Sequence, residues 1–136
     1  MPTTRAQWRL NLRALLLRVI ATVCSIAALA ALLDPDRVAG GMGVFLVGVN
    51  GYSQFYAIYV GVRLATAALA LLASRHGDQP LLGDITALFI LAQPAGRLVA
   101  AMAIGLPNGF LLAVCGVELV GGVLLLALRP RRSGGG

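Results

Sequence analysis

Six residues of this 136-residue chain carry chemistry inside otherwise apolar runs: Tyr56, Tyr59, Arg63, Gln93, Arg97 and Glu118. Tyr52, Tyr56, Tyr59, Arg63 and Thr66 recur at steps of four, three, four and three, which on a helix puts them on one stripe. Ala57, Gly61, Ala65 and Ala68 fall on the opposite stripe, where small side chains let another helix approach closely. By the same arithmetic Thr86, Gln93 and Arg97 share a face. Glu118 stands alone among apolar residues, with Gly121 and Gly122 on its side leaving room for a neighbouring helix or a ligand. A guanidinium is a planar fork of donors that matches a carboxylate, and the chain uses arginine throughout and no lysine. The chemistry within reach is therefore ion pairing and the recognition of an anion or a carbonyl. No Ser-His-Asp set, paired carboxylates or phosphate-cradling glycine loop accompanies it.

The elements that must position these groups are membrane helices. The chain is 59% hydrophobic and 12% charged, with mean hydropathy +0.88, whereas a soluble domain is about a quarter charged. We expect an all-α membrane protein, a single domain over 1–136, with four antiparallel transmembrane helices at about 14–33, 53–74, 81–106 and 109–128. Asp34-Pro35-Asp36-Arg37 reads as a turn. Residues 38–49 are too short and glycine-rich to span, and read as an interfacial or strand-like segment with a hairpin turn at Asn50-Gly51. Pro94 should kink the third helix and free the Ile90 carbonyl for a buried donor. Residues 129–136 form a basic tail. Ala28-Leu29-Ala30 resembles a signal-peptide cleavage site, but the run before it exceeds the usual core of about 7–15 residues, and no cleavage is expected.

Arginine placement sets the orientation. Arg5, Arg9, Arg13, Arg75, Arg129, Arg131 and Arg132 fall on one side and Arg37 alone on the other. Positively charged loops face the cytoplasm, so both termini of this multi-pass chain should be cytoplasmic, in a bacterial inner membrane. At about 1.5 Å per residue, Arg63, Gln93 and Glu118 all fall roughly 15–18 Å from the cytoplasmic end. Arg97 and Tyr59 lie about one turn further out. A charge at the bilayer centre costs on the order of 2.5–3.5 kcal/mol, so these groups must meet. Arg63 with Glu118 is the first pair expected, with Arg97 beside it. Two arginines and one glutamate leave a formal charge of +1, which an anion, a lipid headgroup, a quinone carbonyl or a partner's acid would balance. Arg18 is expected to snorkel to the surface, and Asp84 to be a first-turn helix charge.

Other classes are set aside. The net charge of +6 follows helix ends rather than an aromatic-basic platform, which argues against nucleic acid. Cys24 and Cys115 read as small buried hydrophobes, and His76 lies in a loop, so no intrinsic metal or cofactor is expected. Asp34 and Asp36 belong to the turn.

FYAIYVGVRLATAALAL in the second segment, GRLVAAMAIGLPNGFLL across the third turn and GVELVGGVLLLAL in the fourth together resemble an uncharacterised family of small four-helix bacterial membrane proteins, in the neighbourhood of the DoxX-like group. The matching polar positions are Tyr59, Gly61, Gly96, Arg97, Pro107 and Glu118. In that family an acid and an arginine stand just before the tyrosine-glycine stretch; here Gln54 and Tyr56 stand there, and Arg63 follows instead. The resemblance implies the fold. The function expected first is an accessory or scaffolding subunit of a larger membrane complex, with lipids and a protein partner or a second copy around it. The alternative is a binder of an amphipathic quinone or lipid gripped by Arg63, Arg97, Tyr59 and Glu118, and a small membrane enzyme comes third.

Overall fold

The computed structural model describes residues 4–130. Four long helices are apolar enough to cross a membrane: α1 (Thr4–Leu33), α3 (Gly48–Arg75), α4 (Pro80–Ile104) and α5 (Gly109–Ala127). A short α2 (Pro35–Gly41) lies between α1 and α3. No strand occurs among the described residues. α1 packs chiefly on α3 and α4 on α5, with α3 against α4 closing the bundle. The start of α1 and the end of α5 meet, Arg9 against Ala127, at one end of the bundle, called here the terminal end; α2 sits at the far end.

The bundle is built as a membrane protein must be. Its outer surface is apolar: Leu15, Val23, Ile26, Leu88, Leu98, Val117 and Val120 are all exposed. Its interior is made of small residues and the polar groups. Near the terminal end Leu17, Ala21, Ala70, Ala73, Ala87 and Leu125 form one core. Alanine at this seam brings backbones close, which supplies the van der Waals contact that replaces hydrophobic drive between helices in lipid. At the far end Ala31, Ala39 and Phe55 form a second core, with Tyr59 and Val60 packed against it. The charged network lies between the two.

Several expectations need correction. α1 begins at Thr4, not near residue 14, because its first turns are polar yet helical. Arg9 and Arg13 stand four residues apart on the face turned towards α4 and α5, so the helix continues past the apolar run to reach them. Residues 38–49 are not strand-like. Asp34 caps α2, its side chain accepting from the Arg37 amide at 3.1 Å, and Pro35 starts the helix where a missing N–H costs nothing. Asn50-Gly51 lies inside α3, not in a hairpin turn. The reversal comes earlier, where Gly43 (φ 75°) and Gly48 (φ 64°) adopt left-handed backbone that other residues resist. Gly105 (φ 95°) similarly ends α4 before the Pro107 turn. The basic tail beyond Pro130, with Arg131 and Arg132, lies outside the described residues.

Inside α3, residues Ala57–Val62 form a π-helical turn. A π turn carries wider i→i+5 bonding and shifts the phase of everything that follows it. The stripe drawn from Tyr52 to Thr66 assumed one uninterrupted period. It is broken in the structure, and its members serve different neighbours. Only beyond the π turn, from Arg63 onward, does α3 bury a continuous face: Thr66, Ala67, Ala70, Ala73 and Ser74. The seam of Ala57, Gly61, Ala65 and Ala68 faces outward and stays exposed.

Candidate functional site

Three helices deliver the charged network. Arg63, first residue after the π turn of α3, donates from Nη2 to Oε1 of Glu118 on α5 at 2.7 Å. Arg97 of α4 donates from Nη1 to the other oxygen, Oε2. One carboxylate thus holds two guanidinium groups, and all three are shielded: the side chains of Arg63, Arg97 and Glu118 are 16%, 15% and 8% exposed. Leaving any one alone at this depth would cost several kcal/mol, so the network fixes α3, α4 and α5 relative to each other. α1 contributes Cys24, which is buried beside Arg63.

The local sequence makes the approach possible. A Cβ on Gly122, one turn past Glu118, would sit 2.5 Å from Cγ of Leu91. Leu91 therefore fills the space that Gly122 leaves, and α4 comes close enough for Arg97 to reach across. Gly121 borders nothing within 4 Å. The room foreseen beside Glu118 belongs to a neighbouring helix. The carbonyl of Ile90 takes no arginine, because Glu118 satisfies Arg97 instead.

A cleft of about 430 Å³ opens on the far-end side of this network. Its polar lining is Arg37, Tyr59, Arg63 and Arg97, and the rest is apolar, including Ala27, Met42, Phe110 and Val114. Glu118 is not among the lining residues. The carboxylate stands behind the arginines, so the face shown to the cleft is cationic. Neither Arg63 nor Arg97 has an unbonded nitrogen sealed from the surface, so the donors left over after Glu118 remain reachable. Arg97 also borders a second cleft of about 360 Å³ between α4 and α5, lined by Pro94, Leu98, Cys115 and Leu119 among others.

The other expected residues are placed as follows. Tyr59 stacks on Phe55, ring centroids 4.6 Å apart, and lines the cleft. Tyr56 meets Phe55 edge-on at 6.3 Å and does not line it. Gln93 is half-buried on α4, and its amide makes no hydrogen bond among the described residues. Tyr52 donates to Asp36 at 2.7 Å, tying α2 to α3. Arg18 is exposed on α1.

Sequence reasoning missed two things. Arg37, in the sequence no more than a topological marker, lines the cleft. A second network also escaped. Asp84 accepts a hydrogen bond from Arg13 Nη2 at 2.7 Å through Oδ1 and forms an ion pair through Oδ2 with Arg129 Nε at 2.7 Å. Asp84 is therefore a counter-charge shared by two arginines rather than a first-turn charge, and Arg13 is buried rather than interfacial. Gly83 permits this, since a Cβ there would lie 2.7 Å from the Arg13 guanidinium. The i, i+4 spacing of Arg9 and Arg13, with glycine beside an acid at Gly83-Asp84, was the available signal. Among the described residues no group of three or more His, Cys, Asp or Glu side chains could hold a metal.

Residues 12–129 match the model of a family described as a domain of unknown function, DUF4345. The match takes in the greater part of all four spans, and the chain belongs to that family. No curated protein and no solved structure matches it.

Proposed function

We propose that this DUF4345 protein binds an amphipathic small molecule, lipid or quinone, in the far-end cleft. Its head would rest on the leftover donors of Arg63 and Arg97, with Tyr59 and Arg37 alongside, and its apolar part on Met42, Phe110 and Val114. The observation that carries this reading is the one-sided placement of charge: three arginines line a largely apolar cleft of about 430 Å³ while their one carboxylate stands behind two of them. The triad has a formal charge of +1 (two guanidinium groups, one carboxylate), and Arg37 adds another. In hydrocarbon no water meets such donors, so an acceptor-bearing ligand is the natural complement. The volume lies in the range of small-molecule sites, about 300–1,000 Å³. With both chain ends in the cytoplasm of a bacterium, the orientation that the arginine bias supports, the cleft would lie in the outer half of the inner membrane.

Mild extraction into lipid nanodiscs followed by native mass spectrometry tests this. Wild type should carry one stoichiometric amphiphile. Arg37→Gln with Tyr59→Phe, which touches no ion pair, should lose most of it while keeping the fold. A wild-type protein that arrives empty, or the same occupancy in the variant, would overturn the reading.

A second reading, the accessory subunit, has one observation of its own. Ala57, Gly61, Ala65 and Ala68 form a small-residue seam that the chain's own helices leave exposed. A partner helix or a second copy would fit there. Co-purification of a stoichiometric membrane partner that is lost in Gly61→Leu would favour it.

A further inference from the structure

A separate cleft of about 760 Å³ lies at the terminal end, between the start of α4 and the end of α5. Arg9 and Arg129 border it together with Asp78, and Leu81 and Leu126 form its apolar wall. Leu81 is 63% and Leu126 42% exposed, so that wall faces the lipid. The arginines are held in place. Arg9 donates from Nη2 to the Ala127 carbonyl at 3.3 Å, anchoring α1 to the end of α5. Arg129 is held through Nε by Asp84, which Arg13 grips from inside the bundle. That arrangement leaves both Nη groups of Arg129 for another acceptor, on a side chain 58% exposed.

The charges can be summed. Arg9, Arg13 and Arg129 give three positive charges, and Asp78 and Asp84 give two negative, leaving one positive charge in the formal count. One phosphodiester would cancel it. The cleft lies where three membrane spans reach their common end, at headgroup level, with donors above and leucines below. We infer that this groove is a binding site for one anionic phospholipid, its phosphate held between Arg9 and Arg129 and an acyl chain along Leu81 and Leu126. A diffuse basic surface would attract anionic lipid without a fixed place. Here the guanidinium groups are positioned by Ala127 and Asp84, so the site is built into the helix packing. It is independent of the far-end cleft.

The test uses the whole protein in nanodiscs of equal phosphatidylglycerol and phosphatidylcholine, with retained lipid counted by native mass spectrometry. Wild type should retain one phosphatidylglycerol per chain. Each arginine near an anionic surface is worth about fivefold, so Arg9→Gln, which breaks no ion pair, should lower the phosphatidylglycerol to phosphatidylcholine ratio about fivefold. Arg9→Gln with Arg129→Gln should abolish the preference. Arg5→Gln with Arg75→Gln removes the same number of charges at the same end, outside the groove, and should leave the ratio unchanged. The inference is overturned if the Arg5/Arg75 variant loses as much as the Arg9/Arg129 variant, if neither Arg9 variant changes the ratio, or if Arg37→Gln alone removes the bound phosphatidylglycerol.

Discussion

The bundle solves one electrostatic problem twice, in two different places. At mid-depth Glu118 sits between Arg63 and Arg97; at the terminal end Asp84 sits between Arg13 and Arg129. Each triad has one carboxylate, two guanidinium groups and a formal charge of +1. Their surroundings differ. The mid-depth triad is closed on every member, with no side chain above 16% exposure. The terminal triad is graded, from Arg13 at 6% through Asp84 at 19% to Arg129 at 58%. A surplus charge at the terminal end has water, salt and headgroups to meet it. The same surplus at mid-depth has only the cleft. Depth, rather than the pairing itself, turns an ion triad from a clasp between helix ends into a candidate ligand site.

The difference can be broken most forcefully at Glu118. Glu118→Gln leaves two guanidinium groups in the interior without a counter-charge, and should destabilise the bundle by about 3–5 kcal/mol. Chemical denaturation in mixed micelles reads this directly, and no variant in the terminal triad should match it. Next comes the close approach beside Glu118. Gly122→Ala drives a methyl into Leu91, 2.5 Å from Cγ, and should cost about 1–3 kcal/mol by overpacking. Gly121→Ala meets nothing and should be neutral or slightly stabilising; equal effects at the two positions would mean that α4 does not pack on Gly122.

Asp84→Asn should cost less than Glu118→Gln, about 1–2 kcal/mol, because Arg129 can turn to solvent when its partner is lost and the buried Arg13 keeps the Pro80 carbonyl, 3.2 Å away. Salt sharpens the contrast. Raising the ionic strength from about 0.01 M to about 1 M shortens the screening length from about 30 Å to about 3 Å. The Asp84→Asn cost should shrink with salt and the Glu118→Gln cost should not. The smallest effect is expected at the tie between α2 and α3. Tyr52→Phe removes one hydrogen bond to Asp36 and should cost about 0.5–1.5 kcal/mol. Hydrogen exchange should rise in α2 before it rises in α3; uniform exchange across both would show that the bond does not hold α2 down.

The mid-depth triad was legible in the sequence and the terminal one was not, for a physical reason. Charges inside apolar runs announce themselves, because hydrocarbon forbids them from standing alone. Depth counting along three helices then brings Arg63 and Glu118 to one level without any coordinates. Arg13 and Asp84 sit at the edges of their apolar runs, where charge is ordinary, and nothing in hydropathy separates a buried edge arginine from a snorkelling one. The spacing of Arg9 and Arg13 and the glycine at position 83 were the hints that a large side chain lies across α4. The four spans were legible from length and hydropathy. The start of α1 was not, since a polar helix end and a polar tail read alike. α2 was obscured by its glycines, although Asp34-Pro35 is an N-cap followed by a first-turn proline. The π turn at Ala57–Val62 had no sequence signature, so the break it makes in the stripe from Tyr52 to Thr66 was not legible.

The most direct measurement is a double-mutant cycle on Arg63→Met and Glu118→Gln, read as unfolding free energy in the same micelles. A shared mid-depth carboxylate predicts partial rescue: the double variant should be more stable than the sum of the single losses, with a coupling of about 1–3 kcal/mol. Strict additivity would mean that the two side chains do not sense each other, and the mid-depth triad would have to be abandoned.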